Sequence, residues 1–254
     1  MDVLFRDEIS FMAEPWPFYP DRPTLVFIHG SAMSKSSWES QVRGLSDRFN
    51  TIALDLPGHG DSPGDGHDSI TVYGEAVKRF IDDVDPPHPV PCGLSLGGGI
   101  VQHLLINFPE RFMAGILINT GARLRVLPLI FDAIRDNYDG FIQMTHLGGV
   151  APVNQSPALA EKIRALMTCP PEVALKDFTA CDRFDVMARL SEINVPVLII
   201  SGNDDTTTPP KYAAYLAEHI AGAELVTIPN AAHLAPLEQA WTVNDAIAGF
   251  LGRV

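Results

Sequence analysis

The sequence predicts an α/β protein, a mostly parallel, doubly wound sheet with a helical cap inserted ahead of its penultimate strand. Three observations carry this. Short runs that are apolar on both faces recur along the chain, as strands buried inside a parallel sheet do. Stretches of helical length and spacing separate them, which is the alternation of doubly wound architectures. The alternation lapses between 121 and 194, where helical patterns follow one another and no strand is evident.

In order, the expected strands are Thr24–Ile28, Thr51–Leu54, Val90–Gly93, Phe112–Asn119, Pro196–Ile200 and Glu224–Ile228. Helices are expected over Thr71–Val84, Leu96–Phe108, Pro210–Ile220 and Leu237–Leu251. Within the interruption, Leu127, Ile130, Phe131, Ile134, Tyr138, Phe141 and Ile142 fall on one helical face. Pro128 suits a first turn, and Gly148-Gly149 mark a stop. Two further helices are expected through Ala158–Met167 and Glu172–Ala180. The expected division is a core of residues 1–120 and 195–254 with a cap of 121–194. Such a cap covers the carboxyl ends of the strands, where open α/β sheets bind ligands.

Composition excludes several classes. With 46% hydrophobic and 19% charged residues among 254, the chain is not intrinsically disordered. Its 18 Lys and Arg against 31 Asp and Glu leave a net charge of -13. That field repels phosphate backbones and anionic lipid, so neither nucleic acid nor a membrane is an expected partner. The cysteines, Cys92, Cys169 and Cys181, lack the spacing of a disulfide framework or a metal site. There is no H-E-x-x-H motif, so no metal and no cofactor are expected. No apolar signal region opens the chain, and no run approaches the ~18–20 residues of a membrane span. A cytoplasmic protein is the expectation.

The chemistry starts at Gly93-Leu94-Ser95-Leu96-Gly97, a G-x-S-x-G placed between an expected strand and an expected helix. In that setting the serine sits on a strained turn with its hydroxyl exposed. The Leu96 N–H, at the helix N-terminus, can face a developing oxyanion. A second donor should come from the loop after Thr24–Ile28, at the Ser31 or Ala32 N–H. A serine hydroxyl needs a base. Of 8 histidines, His233 follows the last strand and directly precedes the final helix, which puts it at the same sheet end. His29 and His59 lie in glycine-flanked turns and read as structural, as does His103 on the helix after the serine. The base needs an acid to orient it. Asp204 and Asp205, after the strand ending at Ile200, are both placed for this, whereas Asn119 after the preceding strand carries no charge.

At these residues the chain resembles the α/β-hydrolase superfamily, in its capped esterase and lactonase branch. The likeness runs through H-G-S at 29–31, D-L-P-G-H-G-D-S at 55–62, G-L-S-L-G-G at 93–98 and F-P-E-R-F at 108–112. It continues through G-N-D-D-T-T-T-P at 202–209 and A-H-L-A-P-L-E at 232–238. The family pattern G-x-x-D-x-x-x-P selects Asp205 over Asp204. The resemblance thus implies an α/β-hydrolase fold and a triad of Ser95, Asp205 and His233. Around I-N-T-G-A-R at 118–123 and A-A-H-L-A-P-L-E-Q at 231–239 the chain is similar to 3-oxoadipate enol-lactonases.

The expected activity is a serine hydrolase cleaving a small or medium carboxylic ester through an acyl-enzyme. A lactonase, a C–C bond hydrolase, a thioesterase and a perhydrolase are the alternatives on one scaffold. The expected partner is a small-molecule ester or lactone. Candidate substrate contacts are Ala32, Arg123, Phe131, His146 and Leu234. Arg123, with Arg125 and Arg135 near the cap entrance, would meet a carboxylate on an anionic substrate.

Overall fold

The computed structural model describes residues 3–6 and 8–254. Its strands are β1 Leu4–Arg6, β2 Ile9–Glu14, β3 Thr24–Ile28, β4 Asn50–Leu54, β5 Pro89–Leu94, β6 Gly115–Ile118, β7 Val197–Gly202 and β8 Glu224–Ile228. They form one sheet in the order β1-β2-β4-β3-β5-β6-β7-β8. From β4 to β8 every pairing is parallel, while β1 and β2 join antiparallel, with Phe11 opposite Leu54.

The helices are α1 Glu39–Leu45, α2 Ile70–Val84, α3 Leu96–Asn107, α4 Pro128–Asp136, α5 Tyr138–Gly149, α6 Pro157–Leu166, α7 Pro171–Arg183, α8 Pro210–His219, α9 Ala235–Glu238 and α10 Ala240–Leu251. Period-two alternation in the strands sorts them into layers. Leu25, Phe27, Ile116, Ile118, Leu198 and Ile200 pack with Val42 of α1 and Val243 and Ile247 of α10. The intervening Val26, Ile28, Leu117, Val197 and Ile199 pack with Val77 of α2, Leu104 of α3 and Leu216 of α8. Parallel neighbours require crossover connections, and these helices supply them on both faces.

All six expected strands are present, the fourth shortened to Gly115–Ile118. The sequence reading assigned no strand to β1 or β2 and no helix to α1. Acidic residues bracket the β2 segment, and its partner β4 is remote in sequence, so local pattern says little about it.

Helices α4 to α7 lie between β6 and β7. The single apolar face expected from Leu127 to Ile142 is broken. Asn137 leaves helical geometry at φ -156 and its side chain accepts from the Gly140 N–H at 2.9 Å, capping α5. Leu127, ahead of α4, is therefore 64% exposed while Ile134 and Phe141 are buried. The final expected helix is likewise interrupted, at Gln239. No helix among the described residues is long and apolar enough to cross a membrane.

Candidate active site

Ser95 joins β5 to α3 with φ 54 and ψ -112, a backbone conformation that a non-glycine residue adopts only under tertiary constraint. The constraint is visible. The Ser95 N–H donates to the Ile118 carbonyl at 3.0 Å, and the Ser95 carbonyl accepts from Gly99 N–H and the Thr120 hydroxyl. A Cβ at Gly93 would overlap the Gly97 carbonyl, and one at Gly97 would overlap that of Ile28. Those two glycines let the turn close this tightly. Leu96 then begins α3, so its N–H is among the amides a helix leaves without an intrahelical partner.

Asp205 and His233 come from the loops after β7 and β8. His233 Nδ1 lies 2.9 Å from Asp205 Oδ2. The carboxylate also accepts from Thr208 Oγ1 at 2.7 Å and, at Oδ1, from the amides of Thr207 and Thr208 at 2.8 and 2.9 Å. Burial pushes the Asp205 carboxyl up, but the charge and hydrogen bond of His233 and the Thr208 donors outweigh it and hold the group below the usual carboxylate range. Asp204 shares none of these bonds; its amide donates to the Ala231 carbonyl. Ser95 and His233 line the same cavity, of about 210 Å³. No hydrogen bond joins their side chains among the described residues, and such bonds commonly tighten only around substrate.

That cavity is apolar. Ile130 of α4, Phe141 and Met144 of α5, Met167, Phe178 of α7 and Leu234 enclose it. Thr145, Thr206 and Thr207 add hydroxyls, and among the described residues no Lys, Arg, Asp or Glu lines it. Ser31 lies on its wall beside Gly30.

Four of the expected substrate contacts lie elsewhere. Ala32 is fully buried, outside the cavity, and its N–H donates to Asp177 Oδ2 at 2.8 Å, so of the two amides considered only that of Ser31 has no hydrogen-bond partner among the described residues. Arg123 is bridged to Asp185, with Nε 2.7 Å from Oδ2, and faces a separate cavity with Arg125 and Lys211. Arg135 pairs with Asp132 at 3.4 Å. Phe131 is half-buried beneath the Arg135 guanidinium, while Ile130 takes the inward place on α4. His146 lines a third cavity, with Gln143 and Arg164. The helical period explains this: Phe141, Met144, Thr145 and Gly148 of α5 face the central cavity, and His146 is turned about 100° past Thr145. Leu234 lies on the wall of the central cavity.

His29 and His59 sit in the loops after β3 and β4 and are not among the residues that line the central cavity. Leu56 N–H donates to His29 Nε2 at 3.0 Å, which leaves the proton on Nδ1 facing the Gly30 carbonyl, and burial drives that imidazole down to about 4. Three polar side chains that hold the site were missed in the sequence. Asn119, at φ 42, donates to the carbonyls of Ala232 and His233 at 2.9 and 2.8 Å and accepts from Gly202 N–H at 2.7 Å. Glu238 accepts from the Ala232 and Ala151 amides and from Asn154, tying the His233 loop to the inserted helices. Asp177 anchors the loop after β3. An Asn directly after an apolar strand, where a left-handed residue is tolerated, is the one local signal among them.

A sheet of this topology, with a strained serine, a paired Asp and His, and a cavity at its strand ends, defines a hydrolase scaffold. The chain belongs to the alpha/beta hydrolase family, whose model matches residues 25–245. Its general activity is that of a hydrolase. It is similar to 3-oxoadipate enol-lactonase 2 of Acinetobacter baylyi, 28% identical over 92% of this chain and 90% of that one. It is also similar to the pimeloyl-[acyl-carrier protein] methyl ester esterase of Nitrosomonas europaea, 28% identical over 83% and 88% of the two chains. Among solved structures, a thermophilic esterase from Thermogutta terrifontis with malate bound superposes with a TM-score of 0.85 at 25% identity, covering 96% of this chain and 93% of that one.

Proposed function

We propose that the protein is a serine hydrolase that cleaves a neutral carboxylic ester with a small or medium acyl group. One observation carries the reading. The strained Ser95 and the His233 that pairs with Asp205 both line an apolar cavity that no Lys, Arg, Asp or Glu among the described residues lines.

In this mechanism His233 Nε2 takes the Ser95 proton as Oγ attacks the ester carbonyl. Asp205 holds Nδ1–H and stabilises the imidazolium. The Leu96 and Ser31 amides receive the tetrahedral oxyanion, assisted by the positive end of α3. His233 protonates the leaving alkoxide. Water, deprotonated by the same imidazole, then releases the acid from the acyl-enzyme.

The likeness to an enol-lactonase supports a lactone as the alternative substrate. An enol-lactone bearing a carboxylate lacks a partner here, because Arg123 is engaged with Asp185 away from the cavity. A substrate panel tests this: p-nitrophenyl esters of rising chain length beside lactones, enol-lactones, thioesters and ring-cleavage diketones, with Ser95→Ala as control. The neutral short and medium esters should give the highest kcat/KM. Preference for a carboxylate-bearing enol-lactone, or turnover by Ser95→Ala within about tenfold of the parent, would overturn the reading.

A further inference from the structure

A second buried polar cluster sits where α7 meets the loops after β3 and β4. Asp177 of α7 is fully buried. Its Oδ2 accepts from Ala32 N–H at 2.8 Å and from His59 Nε2 at 2.9 Å, and its Oδ1 accepts from the Tyr73 hydroxyl at 2.6 Å. His59 Nδ1 faces the Pro57 carbonyl at 3.2 Å, so both ring nitrogens meet acceptors, an arrangement that only the imidazolium satisfies. Burial opposes that charge, but the Asp177 carboxylate overrides it and holds the imidazole well above the usual histidine range.

The backbone that Asp177 grips is unusual. Ala32 has φ 60, the left-handed region that an alanine enters only at a cost. Met33 N–H returns to the Gly30 carbonyl at 3.2 Å, closing a turn with Ser31 and Ala32 at its centre. Of these two, Ser31 reaches the cavity and Ala32 turns inward. The direction of one peptide is therefore set by a carboxylate from a helix of the insert.

We propose that Asp177 is a positioning residue for the oxyanion hole: by anchoring the Ala32 amide it holds the strained turn that aims the Ser31 amide at the reacting carbonyl. This rests on the Ser95 mechanism above. It makes assembly of the hole conditional on the seating of α7, so that the insert and the catalytic turn act as one unit.

The test compares Asp177→Asn with the double variant Asp177→Asn, Ala32→Gly, reading kcat per site titrated with a fluorophosphonate, and KM. Asparagine offers one acceptor oxygen where the carboxylate serves donors at both, so the turn relaxes. The expected result is a kcat per site lowered roughly 10–100-fold, with KM within about threefold. Glycine adopts positive φ unaided, so Ala32→Gly should recover at least about fivefold of the loss. A side chain that merely welds the insert to the core would show no rescue from the β3 loop. Wild-type kcat per site in Asp177→Asn, a loss confined to KM, or no recovery in the double variant overturns the proposal. Ser95→Ala runs in parallel. If it stays active, the parent mechanism has failed; if it is dead and Asp177→Asn is unimpaired, only the positioning role has. Should Asp177→Asn not fold, amide NMR of the wild type decides. Phosphonylation should shift the Ser31 and Leu96 amide protons while Ala32 exchanges as slowly as core-strand amides. A rapidly exchanging Ala32 amide, or one that shifts with the phosphonyl oxygen, overturns it.

Discussion

Ser95 holds its positive φ because its own N–H and C=O are tied to β6 and α3, so strain at one residue is met by bonds to two elements. Ser95→Ala leaves those bonds in place and should fold normally while kcat/KM for its best ester falls by about 10⁴-fold or more. Asp205→Asn should cost on the order of 10⁴ in kcat, measured on the same ester, because the amide favours the wrong imidazole tautomer. The Asp205 carboxyl sits below its unfolded value, so the stability it contributes is present above the ordinary carboxylate pKa and is lost as pH falls through the lower folded value. Asn119→Ala removes donors to the carbonyls of Ala232 and His233 and should lower stability by about 1–3 kcal/mol, read by chemical denaturation, with a fall in kcat as the histidine loop loosens. Ser95, Asp205 and His233 were legible as candidates because each sits in a local motif: an elbow, a G-x-x-D-x-x-x-P loop, a histidine before the last helix. Asn119 and Asp177 were not, because their partners lie far along the chain, 113 residues away for Asn119 and Ala232 and 145 for Asp177 and Ala32, and the bonds of Glu238 to the inserted helices likewise reach back 87 residues to Ala151.

At the scale of elements, α5 shows how a helix selects its contacts. Phe141, Met144, Thr145 and Gly148 repeat at helical spacing toward the cavity, and Ile142 and His146 follow another face. Phe141→Ala opens the wall, and kcat/KM across an ester series should shift its optimum to longer acyl chains, with a stability loss of about 3–5 kcal/mol. The Asp177–His59 pair joins α7 to the loop after β4. Its His59 pKa is raised above the unfolded value, so its stabilisation is complete below the ordinary histidine pKa and is lost as pH rises through the folded one. Tm should therefore fall on the alkaline side, and Asp177→Asn should flatten that limb of the Tm–pH curve. The apolar spacing of α4 and α5 was visible in the sequence, but their separation at Asn137 was not weighed, although an Asn followed by Tyr-Asp-Gly is a helix start.

The chain carries a net charge of -13, yet no Lys, Arg, Asp or Glu among the described residues lines the central cavity. For a neutral ester kcat/KM should change little between low salt and about 0.5 M salt, whereas for an ester carrying a carboxylate it should rise as the repulsive field is screened. Strand–helix alternation was enough to read the parallel sheet from β3 to β8 and the position of the insert, since burial on both faces writes continuous apolar runs into the strands. The antiparallel edge β1–β2 left little such mark. The same local rules placed Ser95, Asp205 and His233 in their loops, where turn geometry and spacing are short-range. Only the folded chain decided which residues line the central cavity. It replaced Phe131 with Ile130, turned His146 to a separate cavity, paired Arg123 with Asp185 and gave the Ala32 amide to Asp177, because which face of a helix meets a cavity and which charge finds a partner depend on contacts between segments remote in sequence.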